Sequence, residues 1–275
     1  MSQVIQDYNK ILNGTSSLGL EVNPGKYELF QVNSYSEECL NAHEESNTLT
    51  PGVKLLAKNN LTLLGAPIFP EAIESIMKPK LEKLILMAKR LKEIDAHDAL
   101  FLLRNCLRNM PQLTYNLRIS PCILKSVILK KYVSIIKEAL QDMLNIRFHE
   151  KACDQSTRPI RLKGLGIKLP SKKALPEYLS SVCSSKSVVK KLIPELIRED
   201  QNTFFKQGYY KWKTQAETDN LPDTPFFQSE WDSPIDNKRH KHLIDSAPTK
   251  KESSIIRKCF PFFVCIADII FGFKT

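Results

Sequence analysis

From Ile73 onward the apolar residues fall at Ile73, Ile76, Met77, Leu81, Leu84, Ala88 and Leu91, three and four apart, with lysines and glutamates between them. That spacing puts every apolar group on one stripe of a helix, whereas a strand would need alternation by two. Pro79 lies inside the run and should kink or split it, because proline lacks the amide that the preceding turn requires. The helical period returns after Ser120-Pro121 with Leu124, Val127, Ile128, Ile135, Ala139, Leu140, Met143 and Leu144. Ser120-Pro121 is expected to open this helix, the longest of the chain, with Lys125, Lys130, Lys131 and Lys137 as its charges. Between the two lie a helix from Asp98, its N-cap, to Met110, ended by Pro111, and a short helical piece over 112–119. Composition agrees: the 275 residues hold nine glycines against sixteen prolines and 8% aromatic groups. These argue against a glycine-rich nucleotide fold or a many-stranded sandwich, and 42% hydrophobic residues rule out global disorder.

On either side of this helical stretch the patterning is weaker. Residues 1–18 carry an amphipathic helix that ends at Gly14 or Gly19, and Leu20–Val22 and Tyr27–Phe30 read as a hairpin around Asn23-Pro24-Gly25-Lys26. Residues 31–52 are polar, with acidic pairs at Glu37-Glu38 and Glu44-Glu45, and suit an exposed loop or weak helix. A third extended run, Leu61–Leu64, stops at Gly65-Ala66-Pro67-Ile68. Residues 158–167 are too punctuated by glycine and proline for a helix and too apolar for a free linker, so something must hold them down. A last helical pair is expected at 171–184 and 187–199, and then a less compact tail in which aromatic doublets, Trp212 and Trp231 alternate with polar stretches. The expected class is α+β, mainly α: 1–70 with small hairpins, 71–200 a basic helical bundle, 201–275 the tail.

Charge is concentrated. Residues 71–200 hold 25 basic and 14 acidic groups, against 4 and 7 in residues 1–70 and 11 and 9 in residues 201–275. The whole-chain surplus of +10 therefore comes from the helical middle. Such an excess releases counterions on meeting a polyanion, which makes nucleic acid the first partner to consider and an anionic membrane the second, with a merely solvated lysine-rich face as the plain alternative. Arg104, Arg108 and Arg118 could line a phosphate-binding face with Lys125, Lys130 and Lys131, since guanidinium forks match phosphate oxygens. Lys26, at a turn tip, presents an ammonium that could contact a phosphate or donate a proton; the plain account is a solvent-facing turn lysine. Asp95, His97 and Asp98 stand at a helix junction, where capping explains them more simply than a proton relay.

Other chemistries find little support. Seven cysteines form no CxxC pair and no signal peptide opens the chain, so the expectation is a reduced, intracellular protein, nuclear or cytoplasmic and not secreted. His149 and Cys153 are four apart, but two ligands do not make a zinc site, and no metal, cofactor or small-molecule substrate is assigned. The apolar run from Cys259 to Phe273 contains Asp268 and Pro261 and falls short of the ~20 residues that cross a bilayer, so a membrane is not expected. Gly164 and Gly166 lack the GxxxxGK[ST] pattern, and close backbone packing accounts for them better than a phosphate loop. No serine sits in GxSxG, and no His and Asp partners suggest a triad.

The order of the pieces adds a resemblance. LGLEVNPGKYELF at Leu18–Phe30, NLTLLGAPI at Asn60–Ile68, HDALFLLRNCLRNMPQLTYNLRISPC at His97–Cys122 and RPIRLKGLGI at Arg158–Ile167 together resemble the reverse transcriptase of non-LTR (LINE-like) retroelements, collinear over roughly residues 15–185. QSEWDSPI at Gln228–Ile235 is similar to the region that follows the thumb in such elements. The resemblance implies that Lys26 lies near the leaving pyrophosphate as a vestigial proton donor, and that Leu63, Leu64 and Gly65 form the turn that steadies the primer end. It also implies that residues 71–148 form a thumb gripping the minor groove and backbone of a template–primer duplex.

The family would use magnesium, held by carboxylates from an early palm motif and an xDD hairpin. Here no Asp-Asp pair occurs in 275 residues, and Met1 stands after the point where that hairpin would end. The expectation is a C-terminal palm remnant plus thumb without polymerase activity of its own, keeping weak, sequence-independent binding of RNA–DNA or DNA duplex. The alternatives are a helical protein-interaction or structural module, and a decayed element product without function.

Overall fold

A computed structural model describes residues 2–23, 26–30, 44, 47–48, 53–108, 111–148, 150–192, 203–247 and 249. The chain divides into two compact units, Met1–Leu63 and Leu64–Thr275. Among the described residues it is mainly helical, with two small sheets of two strands each.

In the first unit, α1 (Ser2–Ser17) ends as its glycine predicts. Gly19 takes φ +71°, and the Leu20 amide turns back to donate to the Thr15 carbonyl, closing the helix as only a residue free of Cβ strain does cheaply. The hairpin expected at 20–30 does not form. Residues 20–22 carry no strand, and β1 (Glu28–Phe30) pairs in parallel with β2 (Lys54–Leu56), Glu28 opposite Lys54. The strand partner is thus a distant run whose Leu56 is half-buried, while Leu20 is left exposed and had little burial to offer. Pro24 and Gly25 lie outside the described residues, as does nearly all of 31–52. Tyr8 meets Tyr27 edge-on with ring centroids 5.3 Å apart.

The short strands β3 (Thr62–Leu63) and β4 (Ala66–Pro67) flank Leu64 and Gly65, at φ +51° and +78°. Two consecutive left-handed residues make the tight turn whose twist suits a two-residue hairpin. In the second unit, α2 (Ala72–Leu91) is one continuous helix through Pro79. Ile73, Met77, Leu81, Leu84 and Leu91 on its stripe are all buried. At ~1.5–3 kcal/mol per fully buried aliphatic side chain, they outweigh the ~3 kcal/mol of an interior proline. Next come α3 (Ala96–Arg108), α4 (Pro111–Ile119), α5 (Ser126–Leu144) and the short α6 (Glu150–Ser156). The Asp95 carboxylate, not Asp98, accepts the His97 amide at 2.8 Å and caps α3. Ser120-Pro121 leads into a 3-10 turn at Cys122–Leu124 instead of opening α5, and the buried Ser120 hydroxyl donates to the Pro67 carbonyl at 2.6 Å. Tyr132 of α5 donates to the Met77 carbonyl at 2.9 Å, tying α5 to α2 inside the core.

Among the described residues the longest helix is α7 (Pro170–Leu192), where a pair was expected. The expected break at Ser185-Lys186 contains no glycine or proline, and the Ser184 and Ser185 hydroxyls are absorbed by the Ser180 and Val182 carbonyls about one turn back, so nothing stops the helix. Residues 193–199 lie outside the described residues. Through Ala174, α7 joins the core built by α2 to α5; through Leu175, Tyr178 and Leu179 it joins a second core with α8 (Thr203–Ala216) and α9 (Gln228–Asp245). The expected loose tail thus carries two packed helices over 203–245. Trp212 and Trp231 are both fully buried, ring centroids 4.8 Å apart, and the Trp212 indole donates to the Trp231 carbonyl at 2.8 Å. Gly208 lets α8 approach α7 closely, since a Cβ there would stand 3.3 Å from both Leu175 and Leu179.

Candidate functional site

Helix α5 turns Ile128, Leu129, Tyr132, Ile136 and Leu140 inward, which leaves Lys130 and Lys131 exposed on the opposite face. Among the described residues neither makes an ion pair. Lys125 is half-buried at the start of the same helix, its amide donating to the Cys122 carbonyl. Arg118 is exposed in the last turn of α4. It lies close enough to α7 for its charge to act on the buried Glu177, whose carboxyl is nevertheless held above its ordinary range by burial, with Arg118 and Lys168 pulling the other way.

Arg104 of α3 is half-buried against the 158–167 segment, its Nε 3.5 Å from where a Cβ on Gly166 would stand. Arg108 closes α3, and its side chain lies outside the described residues. Leu64 and Gly65 occupy the exposed hairpin turn, Leu64 86% exposed and Leu63 64% exposed. Lys26 is exposed in the other unit, its amide donating to the Asn23 carbonyl at 3.2 Å. Within the second unit, therefore, Lys125 stands at the N-cap of α5, Lys130 and Lys131 lie on it, Arg118 acts on α7 through Glu177, and Arg104 packs against the loop.

That loop is held by a cluster that the sequence pattern does not announce. Arg158 is 1% exposed; its guanidinium donates to the Asp154 carboxylate at 3.0 Å, to the Arg239 carbonyl at 2.9 Å and to His240 Nδ1 at 3.0 Å. An arginine can only donate, so His240 accepts through Nδ1 and is neutral there. Burial and the neighbouring Arg158 charge both hold His240 below its ordinary pKa. Asp154 also receives Lys172 at 3.0 Å and Arg239, and Lys172 donates in addition to Thr157 at 2.7 Å. Arg161 reaches Ser233 at 3.1 Å. Gly164 makes the tight return possible: a Cβ there would fall 2.3 Å from the Arg158 carbonyl oxygen and 2.6 Å from that of Gln155. Close backbone packing is thus the role of Gly164, and Gly166 takes φ +74°. The one local signal was the four-residue spacing of Asp154 and Arg158, while Arg239 and His240 lie far along the chain.

Burial pushes the Cys122 thiol up to about 12 and raises Cys153 and Cys183 as well, so these thiols stay protonated at neutral pH. Among the described residues no group of three or more His, Cys, Asp or Glu is placed to hold a metal ion, and no helix is long and apolar enough to cross a membrane. His149 and the apolar run at 259–273 lie outside those residues. No protein-family model matches the chain, and it has no match among curated proteins or solved structures.

Proposed function

We propose that this chain is reverse-transcriptase-like, of non-LTR retroelement origin, and that its helical unit binds template–primer duplex without reading its sequence. The observation that carries the binding is the contrast in charge partnering. Lys130 and Lys131 on α5 stand exposed and make no ion pair among the described residues, whereas Arg158, Lys172, Lys173 and Arg239 are each paired with Asp154 or Asp232. Exposed cations free of carboxylates are the ones that displace counterions from a phosphate backbone. The four ordered sequence blocks support the family origin. The absence of any Asp-Asp pair in the sequence supports a chain that does not polymerise by itself.

The rival is a helix-pairing module whose charge only confers solubility, favoured by the exposed Phe101 on α3 and Val127 on α5. Reversing the α5 charges (Lys125→Glu with Lys130→Glu and Lys131→Glu) separates the two. Duplex affinity in a filter-binding titration should fall by a factor of about 100 or more, since every phosphate left without its lysine keeps its condensed counterion. Unchanged affinity, or no binding by the parent chain at low salt, refutes the duplex reading.

A further inference from the structure

Beside the cluster at Asp154 lies a cavity of about 520 Å³, walled by α5, α6, the start of α7 and α9. Four cations face it, Lys137, Lys151, Lys172 and Arg239, against two carboxylates, Glu150 and Asp154. Asp154 is already shared by Lys172, Arg239 and the buried Arg158, with Asp236 also acting on Arg158, so the cations outnumber the carboxylates in a part-buried setting. Lys137 adds a further charge beside Cys153. Holding like charges together away from bulk water is unfavourable, and an anion that enters relieves it. The cations come from four separate elements, so they can surround a ligand instead of meeting it from one side, and the Ser171 hydroxyl is a further donor on the wall. The space far exceeds the ~30 Å³ share of a water-sized ion. Guanidinium forks and ammonium point charges around such a space suit the several oxygens of a phosphate.

We propose that this cavity binds a phosphate group, and that Lys137, Lys151, Lys172 and Arg239 hold it. The group has two possible sources: a free phosphate compound such as pyrophosphate, or a backbone phosphate of a nucleic acid lying along α5. The second is geometrically open because Lys137 stands seven residues, or about 10.5 Å along the helix axis, beyond the exposed Lys130. The site does not depend on duplex binding, since it would take pyrophosphate even if the outer face of α5 bound nothing.

The test is calorimetric titration of the full chain with pyrophosphate at low ionic strength, repeated on a Lys137→Gln/Lys151→Gln variant and on a Lys130→Gln/Lys131→Gln variant. Both variants leave the Asp154 ion pairs intact. The parent should bind one pyrophosphate saturably, the first variant about tenfold or more weaker and the second within about twofold. Pyrophosphate should also raise the unfolding temperature of the parent where chloride at equal ionic strength does not, a readout that needs no variant. Displacement of bound pyrophosphate by duplex assigns the site to a backbone phosphate; failure of duplex to displace it assigns the site to the free compound. Heats indistinguishable from dilution, no rise in unfolding temperature, or equal affinity in the Lys137→Gln/Lys151→Gln variant overturns the proposal.

Discussion

Replacing Gly164 by alanine puts the packing of the 158–167 segment to a direct test. The added methyl would stand 2.3 Å from the Arg158 carbonyl oxygen, 2.5 Å from Arg158 Cβ and 2.6 Å from the Gln155 carbonyl oxygen, where ordinary contact begins near 3.4 Å. Two of the three obstacles are backbone atoms, so no side-chain rotation relieves the clash and the loop must lift away from the end of α6. Lifting it strains the bonds from the Gly164 amide to Pro159 and from the Gly166 amide to Arg158, now 3.2 and 2.8 Å. At ~1 kcal/mol net for each bond and ~1–3 kcal/mol for the overpacking, the loss comes to about 3–5 kcal/mol.

Both tryptophans of the chain lie in the second unit, so indole fluorescence in urea follows that unit. With a slope of ~1–3 kcal/mol per molar urea, the midpoint should drop by more than about 1 M. Gly14→Ala, in an open helical position with nothing within 4 Å, should leave that fluorescence transition unchanged. A Gly164→Ala protein within ~0.5 kcal/mol of the parent, the range of ordinary surface changes, would refute the packing account.

Two further outcomes follow from buried groups. Trp212→Phe removes the indole bond to the Trp231 carbonyl and part of the volume joining α8 to α9, and should cost about 1–3 kcal/mol in the same urea assay, with the fluorescence of Trp231 shifted to the red. Glu177, 3% exposed, has a folded pKa raised chiefly by burial, so the folded chain binds its proton more tightly than the unfolded one does. Its contribution to stability is therefore present below the ordinary carboxylate pKa of 4.5 and is lost as pH rises through the raised folded value. Glu177→Gln should stabilise the chain at pH 7 relative to the parent and flatten the fall in unfolding temperature between pH 4 and pH 7; equal pH profiles contradict it.

The helical stripes were legible because burial acts within each helix. Ile73, Met77, Leu81, Leu84 and Leu91 are buried as their spacing predicts, and α1, α2 and α4 begin and end within about a turn of their expected bounds. Local breaks count for less where long-range packing decides: α2 runs through Pro79, and α7 runs on through Ser185-Lys186, between the two helices expected there. Pairing at a distance was not legible at all. The partner of β1 is β2, not the adjacent Leu20–Val22, because a parallel ladder carries no turn signature. The tether of Arg158 to His240 and Arg239 spans more than 80 residues, and no local pattern announces it. Of the expected phosphate-facing residues, the α5 lysines stand where their helical positions put them, while Arg104 is drawn into the loop and Arg118 toward Glu177.

The salt dependence of duplex affinity tests the central claim most directly. For the parent chain, the logarithm of the association constant for an RNA–DNA duplex should fall linearly with the logarithm of salt concentration, at about 0.9 per phosphate neutralised. Lys125, Lys130 and Lys131 together give a slope of about −3, the same for duplexes of unrelated sequence. A slope near zero, or a slope that changes with duplex sequence, would mean that the basic helical unit is not a phosphate-binding surface.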